Sequence, residues 1–212
     1  MTDPEFAPRY PVNAGADFGT APFGQTPSQT VGPYVHIGLL WPDGESVVPQ
    51  GTDGEITVSF TVVDGARNPM SDAMIETWQA DGDGRFDHPD DPRGAVPSRT
   101  AGFRGFGRAF ADETGTMAIT TIKPGPLPAE NGAVEAPHID VAVFARGMLD
   151  RAVTRVYFPD ETEANAVDPV LSAMPEHKRA RLVAASVHGG YHLDIVLQNT
   201  DPDGDETPFF AL

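Results

Sequence analysis

Apolar and polar residues alternate along much of the chain. In EITVSFTVVD (55–64), Ile56, Val58, Phe60 and Val62 are separated by Thr57, Ser59 and Thr61. A period of two puts every second side chain on one face, so this stretch predicts a half-buried β-strand. AMIETWQAD (73–81), HIDVAVFARG (138–147), AVTRVYF (152–158) and YHLDIVLQ (191–198) read the same way. GRAFADE (107–113) and TMAITTIKPG (116–125) flank a turn at Thr114-Gly115 and predict a hairpin. DGARNPMSD (64–72) is a turn cluster, and a loop rich in Asp, Gly and Pro runs from the second strand to about residue 101. Helical character is confined to DETEANAVDPVLSAMPEHKRARLVAAS (160–186), where Pro175 is placed to open a turn. Short strands with turn signals between them, and only small helices, predict a mainly β chain folded as an antiparallel β-sandwich with short helices.

Residues 1–25 break the pattern. They are rich in Pro, Gly, Ala and Phe without any period and read as an irregular N-terminal arm, with Phe6, Tyr10, Phe18 and Phe23 available to pin it to a surface. Residues 26–212 form the expected sandwich domain. The 22 glycines and 21 prolines in 212 residues favour turns over long helices. A formal net charge of −17, with no Lys/Arg-rich run, argues against a nucleic-acid or anionic-membrane partner. The chain has no cysteine, which excludes disulfides and thiolate metal sites. No apolar run approaches the roughly 20 residues that span a bilayer. The first residues carry acids and prolines where a signal peptide has a basic end and an apolar core. A soluble, cytoplasmic protein is expected.

Candidate chemistry is sparse. Asp81, Asp83 and Asp87 in DGDGRFDHPDD (81–91) resemble part of a calcium loop, but the twelfth position holds Pro92 instead of a glutamate, and a solvated acidic loop is expected. DPDGDE (201–206) fails in the same way. The six histidines make no HExxH or zinc-finger spacing, and Gly189-Gly190 separates His188 from His192. GFRGFG (102–107) lacks the Lys-Ser/Thr of a phosphate loop and reads as a glycine-rich lead into a strand. His138 and Asp140 stand apart because a strand places them on one face two residues apart. They are a working metal site, a site of another kind, or a site that has lost its metal.

Four stretches together resemble the intradiol ring-cleavage dioxygenases: TPSQTVGPYVHIGL (26–39), IETWQADGDGRF (75–86), GFGRAFADETGTMAITTIKPGP (105–126) and APHIDVAVFARG with TRVYF (136–158). The resemblance implies a β-sandwich and an enzyme that opens catechol-type rings with O₂. It also implies a non-haem Fe(III) held by two tyrosines and two histidines, phenolate and imidazole suiting a ferric ion. The positions that match those ligands here are Phe86, Leu127, His138 and Asp140. Phe and Leu have no donor atom, so the resemblance also implies a vestigial site, with His138 and Asp140 held by hydrogen bonds or a salt bridge.

Within the family the chain is most similar to α chains that pair with a homologous, iron-bearing β chain in a larger oligomer. That likeness implies an iron-free subunit of an enzyme acting on 3,4-dihydroxybenzoate and O₂. Thr30, Gly32, Pro33 and Tyr34 would then line a pocket shared with the β chain. Arg146 would face the substrate carboxylate. Two other readings stay open: a stand-alone dioxygenase with an unusual metal site, and a non-catalytic sandwich module.

Overall fold

The computed structural model describes residues 32, 35–40, 42–129, 132–199 and 204–210; the 1–25 arm lies outside them. The strands are β1 (Glu55–Val63), β2 (Met74–Trp78), β3 (Phe106–Phe110), β4 (Thr116–Ile122), β5 (Leu127–Pro128), β6 (Val134–Glu135), β7 (His138–Phe144), β8 (Ala152–Tyr157), β9 (Ala185–Val187) and β10 (Gly190–Val196). A first sheet has the order β4-β1-β10-β9 and a second β3-β2-β7-β8; β5 and β6 make a small ribbon.

The alternation seen in the sequence becomes the core. Val58, Phe60 and Val62 of β1, Met117 and Ile119 of β4, and Leu193 and Ile195 of β10 face Ile75 of β2, Ala109 of β3, Ile139, Val141 and Val143 of β7, and Val156 of β8. Burying one face of each sheet removes this apolar area from water and holds the two layers together.

Two details differ from the strand-by-strand reading. β1 pairs with β10 in parallel, from Thr57 opposite Gly190 to Val63 opposite Val196. A parallel neighbour needs a long connection, and β10 arrives only after the helical excursion between residues 160 and 186. Gly190 permits the approach, since a Cβ there would collide with the Thr57 carbonyl.

The predicted β3–β4 hairpin does not form. β3 pairs with β2 in the second sheet, and β4 pairs with β1 in the first. The turn itself is real: the Asp112 carboxylate accepts the Thr114 and Thr116 N–H groups at 2.8 and 3.0 Å, and Gly115 has φ +75°. It carries the chain across the core instead of back along the same sheet. The inward Gly107 and Ala109 of β3 and Met117 and Ile119 of β4 thus lie on opposite sides of one core.

The helices are short: α1 (Val35–Gly38), α2 (Thr162–Val167), α3 (Pro169–Ser172) and α4 (Glu176–Arg179). Asp168 ends α2 and caps α3, accepting the Val170 and Leu171 N–H groups, with Pro169 at the first helical position. Pro175 stands at the N-cap of α4. Among the described residues no helix is long and apolar enough to cross a membrane.

The acidic 81–91 loop is only partly solvated. Asp83, Asp87 and Asp90 are exposed, but Asp81 and Asp91 are buried. Asp81 accepts the Asp83 and Arg85 N–H groups at 3.0 and 2.9 Å. Asp91 is chelated by Arg93 and accepts the Phe86 N–H at 3.2 Å. Both acids are consumed in folding the loop back on itself, and hydrogen bonds from Arg93, with its charge beside them, hold the Asp91 carboxyl well below the usual range despite the opposing effect of burial.

Candidate functional site: a closed cluster at one end of the second sheet

Strand pairing builds the site. β7 runs antiparallel to β8, setting His138 opposite Tyr157 and Asp140 opposite Arg155. β7 also pairs with β2, which puts Trp78 beside Asp140. The Trp78 ring stacks on Phe86 with centroids 5.7 Å apart and planes 4° from parallel. The β5–β6 ribbon sets Leu127 opposite Glu135. Gly84 (φ +69°) lies so close to the Pro126 carbonyl that any Cβ would clash, which ties the loop carrying Phe86 to the strand carrying Leu127. The four positions matched to the family's iron ligands are thereby gathered into one region.

Their chemistry is that of an internal ion pair. Arg155 Nε donates to Asp140 Oδ1 at 2.9 Å, and its NH1 donates to Glu135 Oε2 at 2.8 Å. The guanidinium also lies 5.8 Å from the centre of the Phe210 ring. Burial works against its charge, but Asp140, then Tyr157 and Glu135, outweigh it, and the Arg155 pKa is raised further above its already high value. His138 is buried, with Nδ1 2.8 Å from the Ala136 carbonyl, the geometry of an N–H donor on that nitrogen. Its Nε2 is 3.5 Å from Glu135 Oε2 and 4.0 Å from Asp140 Oδ1. Burial first, and then the Arg155 charge, push the imidazole pKa below its ordinary value, so the ring is neutral at pH 7. Tyr157 packs under His138, its pKa pushed up by burial against the opposing pull of Arg155.

This constellation does not fit a ferric ion. Phe86 and Leu127 present carbon only, and Asp140 is already paired with a permanent cation. Among the described residues no three His, Asp or Glu side chains converge as metal ligands. The adjoining hollow, lined by Trp78, Phe106, Asp140, Arg151 and Val153 among others, measures about 140 Å³, below the ~300 Å³ lower end of ordinary ligand pockets.

Arg146 lies elsewhere. Arg146 follows the far end of β7, about 20 Å along the strand from Asp140 at the usual rise per residue. Its side chain is exposed, and its Nε donates to Asp72 Oδ2 at 2.6 Å. Gly32 is half-buried with φ +63° and has open space where a Cβ would stand. Thr30, Pro33 and Tyr34 lie outside the described residues. Sequence reasoning missed Glu135, Arg155 and Tyr157. A charged residue in the apolar run AVTRVYF was the available signal for Arg155, but it acquires meaning only once the β7–β8 register is known.

A family model described as Dioxygenase matches residues 42–198. The chain belongs to the intradiol ring-cleavage dioxygenase family. It is 41% identical over 203 residues to the protocatechuate 3,4-dioxygenase alpha chain of Burkholderia cepacia, spanning 88% of this chain and 96% of that one. It is 34% identical over 156 residues to the beta chain of the same enzyme from that organism, spanning 69% of this chain and 65% of that one. Among solved structures it resembles the dioxygenase domain of a dioxygenase carbohydrate-binding protein fusion from Streptomyces sp. SirexAA-E, at 28% identity and a TM-score of 0.52, covering 84% of this chain and 100% of that one.

Proposed function

We propose that this chain is the iron-free α subunit of a protocatechuate 3,4-dioxygenase. It works with a homologous β chain that holds Fe(III), and together they convert protocatechuate and O₂ to 3-carboxy-cis,cis-muconate in the cytoplasm. The observation that carries this reading is a two-sheet sandwich in which the positions matched to the family's ligands hold Phe86, Leu127 and an Asp140 bound up with Arg155 and Glu135. The similarity to an α chain over nearly its whole length supports it. The α chain's own contribution is the second wall of the substrate pocket in the β chain: Thr30, Gly32, Pro33 and Tyr34 from the segment before α1, and Arg146 toward the substrate carboxylate. A glycine-proline pair makes a rigid wall with little side chain, which lets an aromatic ring lie close to the backbone.

The test is iron content and protocatechuate-dependent O₂ uptake, measured on the purified chain, on a candidate β chain, and on the two mixed. No iron and no uptake in this chain, with full uptake in the complex, is the expected result. Stoichiometric iron in this chain by itself would overturn the reading.

A further inference from the structure

We propose that Arg155 is a built-in cation that bars metal from this chain, so that restoring the missing donors does not restore iron. The inference rests on the reading of the chain as an iron-free subunit and explains how that state is held.

Four groups hold the guanidinium. Asp140 and Glu135 accept from it at 2.9 and 2.8 Å, the Tyr157 hydroxyl lies 3.5 Å from NH1, and the Phe210 ring packs over it. Phe210 is itself fixed, its N–H donating to the Val153 carbonyl at 2.8 Å. One permanent positive charge therefore engages two carboxylates beside a buried imidazole. A ferric ion entering at His138 and position 140 meets a fixed like charge, and the nearby carboxylates are already engaged by it. An arginine has no neutral form with which to yield. Losing donors at Phe86 and Leu127 leaves a site weak; a resident cation leaves it repulsive.

The experiment compares four full-length proteins after exposure to ferrous iron and air. They are the wild type, F86Y/L127Y/D140H, the same triple with R155Q, and the same triple with R155K. Readouts are bound iron and the visible phenolate-to-iron absorption, with circular dichroism to verify folding. The wild type and the triple variant are expected to take no iron, the R155Q quadruple about one ion per chain, and the R155K quadruple less than the R155Q one, because lysine carries the charge but can surrender its proton. Iron bound by the triple variant with Arg155 in place overturns the proposal. So does a folded R155Q quadruple that takes no iron, or an R155K quadruple that takes as much as R155Q. Iron in the wild type instead overturns the iron-free reading, so the two failures are distinct.

A second measurement covers the case of a quadruple variant that does not fold. R155Q by itself is expected to lower Tm by roughly 5 °C, because it strands two partly buried carboxylates. E135Q/D140N/R155Q is expected to recover most of that loss. No loss in R155Q, or no recovery in the triple neutral variant, overturns the role of Arg155 as the balancing cation.

Discussion

His138 illustrates how this site treats single residues. Its ring is buried between Tyr157 and the Ala136 carbonyl, and burial followed by the Arg155 charge lowers its pKa; Asp140, the Ala136 carbonyl and Glu135 pull the other way and are outweighed. In the unfolded chain the imidazole titrates near its ordinary 6.5. As pH falls below that value the unfolded chain takes up a proton that the folded chain refuses, so stability is lost from about pH 6.5 downward and is fully present above it. We expect the Tm of the wild type to fall more steeply between pH 7 and pH 5 than that of H138Q. Equal slopes would assign the pH dependence to other groups. At this scale the sequence was informative in one direction. Phe86 and Leu127 are donor-free on sight, because a side chain's capacity to bind is intrinsic to it. The neutrality of His138 was not legible, because it depends on burial and on Arg155, fifteen or more positions away along the chain.

At the scale of elements, Asp168 joins three parts of the fold. Its carboxylate accepts the Val170 and Leu171 N–H groups of α3 at 2.9 and 2.8 Å, the Ala136 N–H next to β6 at 2.8 Å, and faces the Tyr157 hydroxyl of β8 at 3.4 Å. D168A removes a helix cap and strands a buried N–H group. The expected loss is about 2–4 kcal/mol in urea unfolding, with D168N losing less. A loss under about 0.5 kcal/mol would show that water replaces these bonds. The β3–β4 connection teaches a related lesson about legibility. The turn at Thr114-Gly115 is legible in the sequence, since turn chemistry is local. Whether the strands on either side pair with each other or cross the sandwich is set by their partners β2 and β1, which are tens of residues away.

At the scale of the whole molecule, Arg146 stands apart from the positions matched to the family's ligands. The Arg155 cluster lies at the start of β7, while Arg146 lies past its far end, exposed and steadied by Asp72, whose carboxyl is held below the usual range by Arg146 even though burial opposes it. In the reconstituted complex we expect R146A to leave folding and kcat nearly unchanged and to raise KM for protocatechuate on the order of tenfold, since an Arg–carboxylate contact made equally in ground and transition states shows in KM. An unchanged KM would remove Arg146 from the pocket.

The sequence by itself determined the sandwich, most of its strands and the absence of metal donors at two positions, because alternation, turn chemistry and donor atoms are properties of neighbouring residues or of single ones. The tertiary structure decided what surrounds the positions matched to the family's ligands. Glu135, Asp140 and Arg155 become one ion pair only when β7 and β8 register and β6 folds over them. Electrostatic energy depends on distances of a few ångströms, and those distances are set by strand register, not by order along the chain.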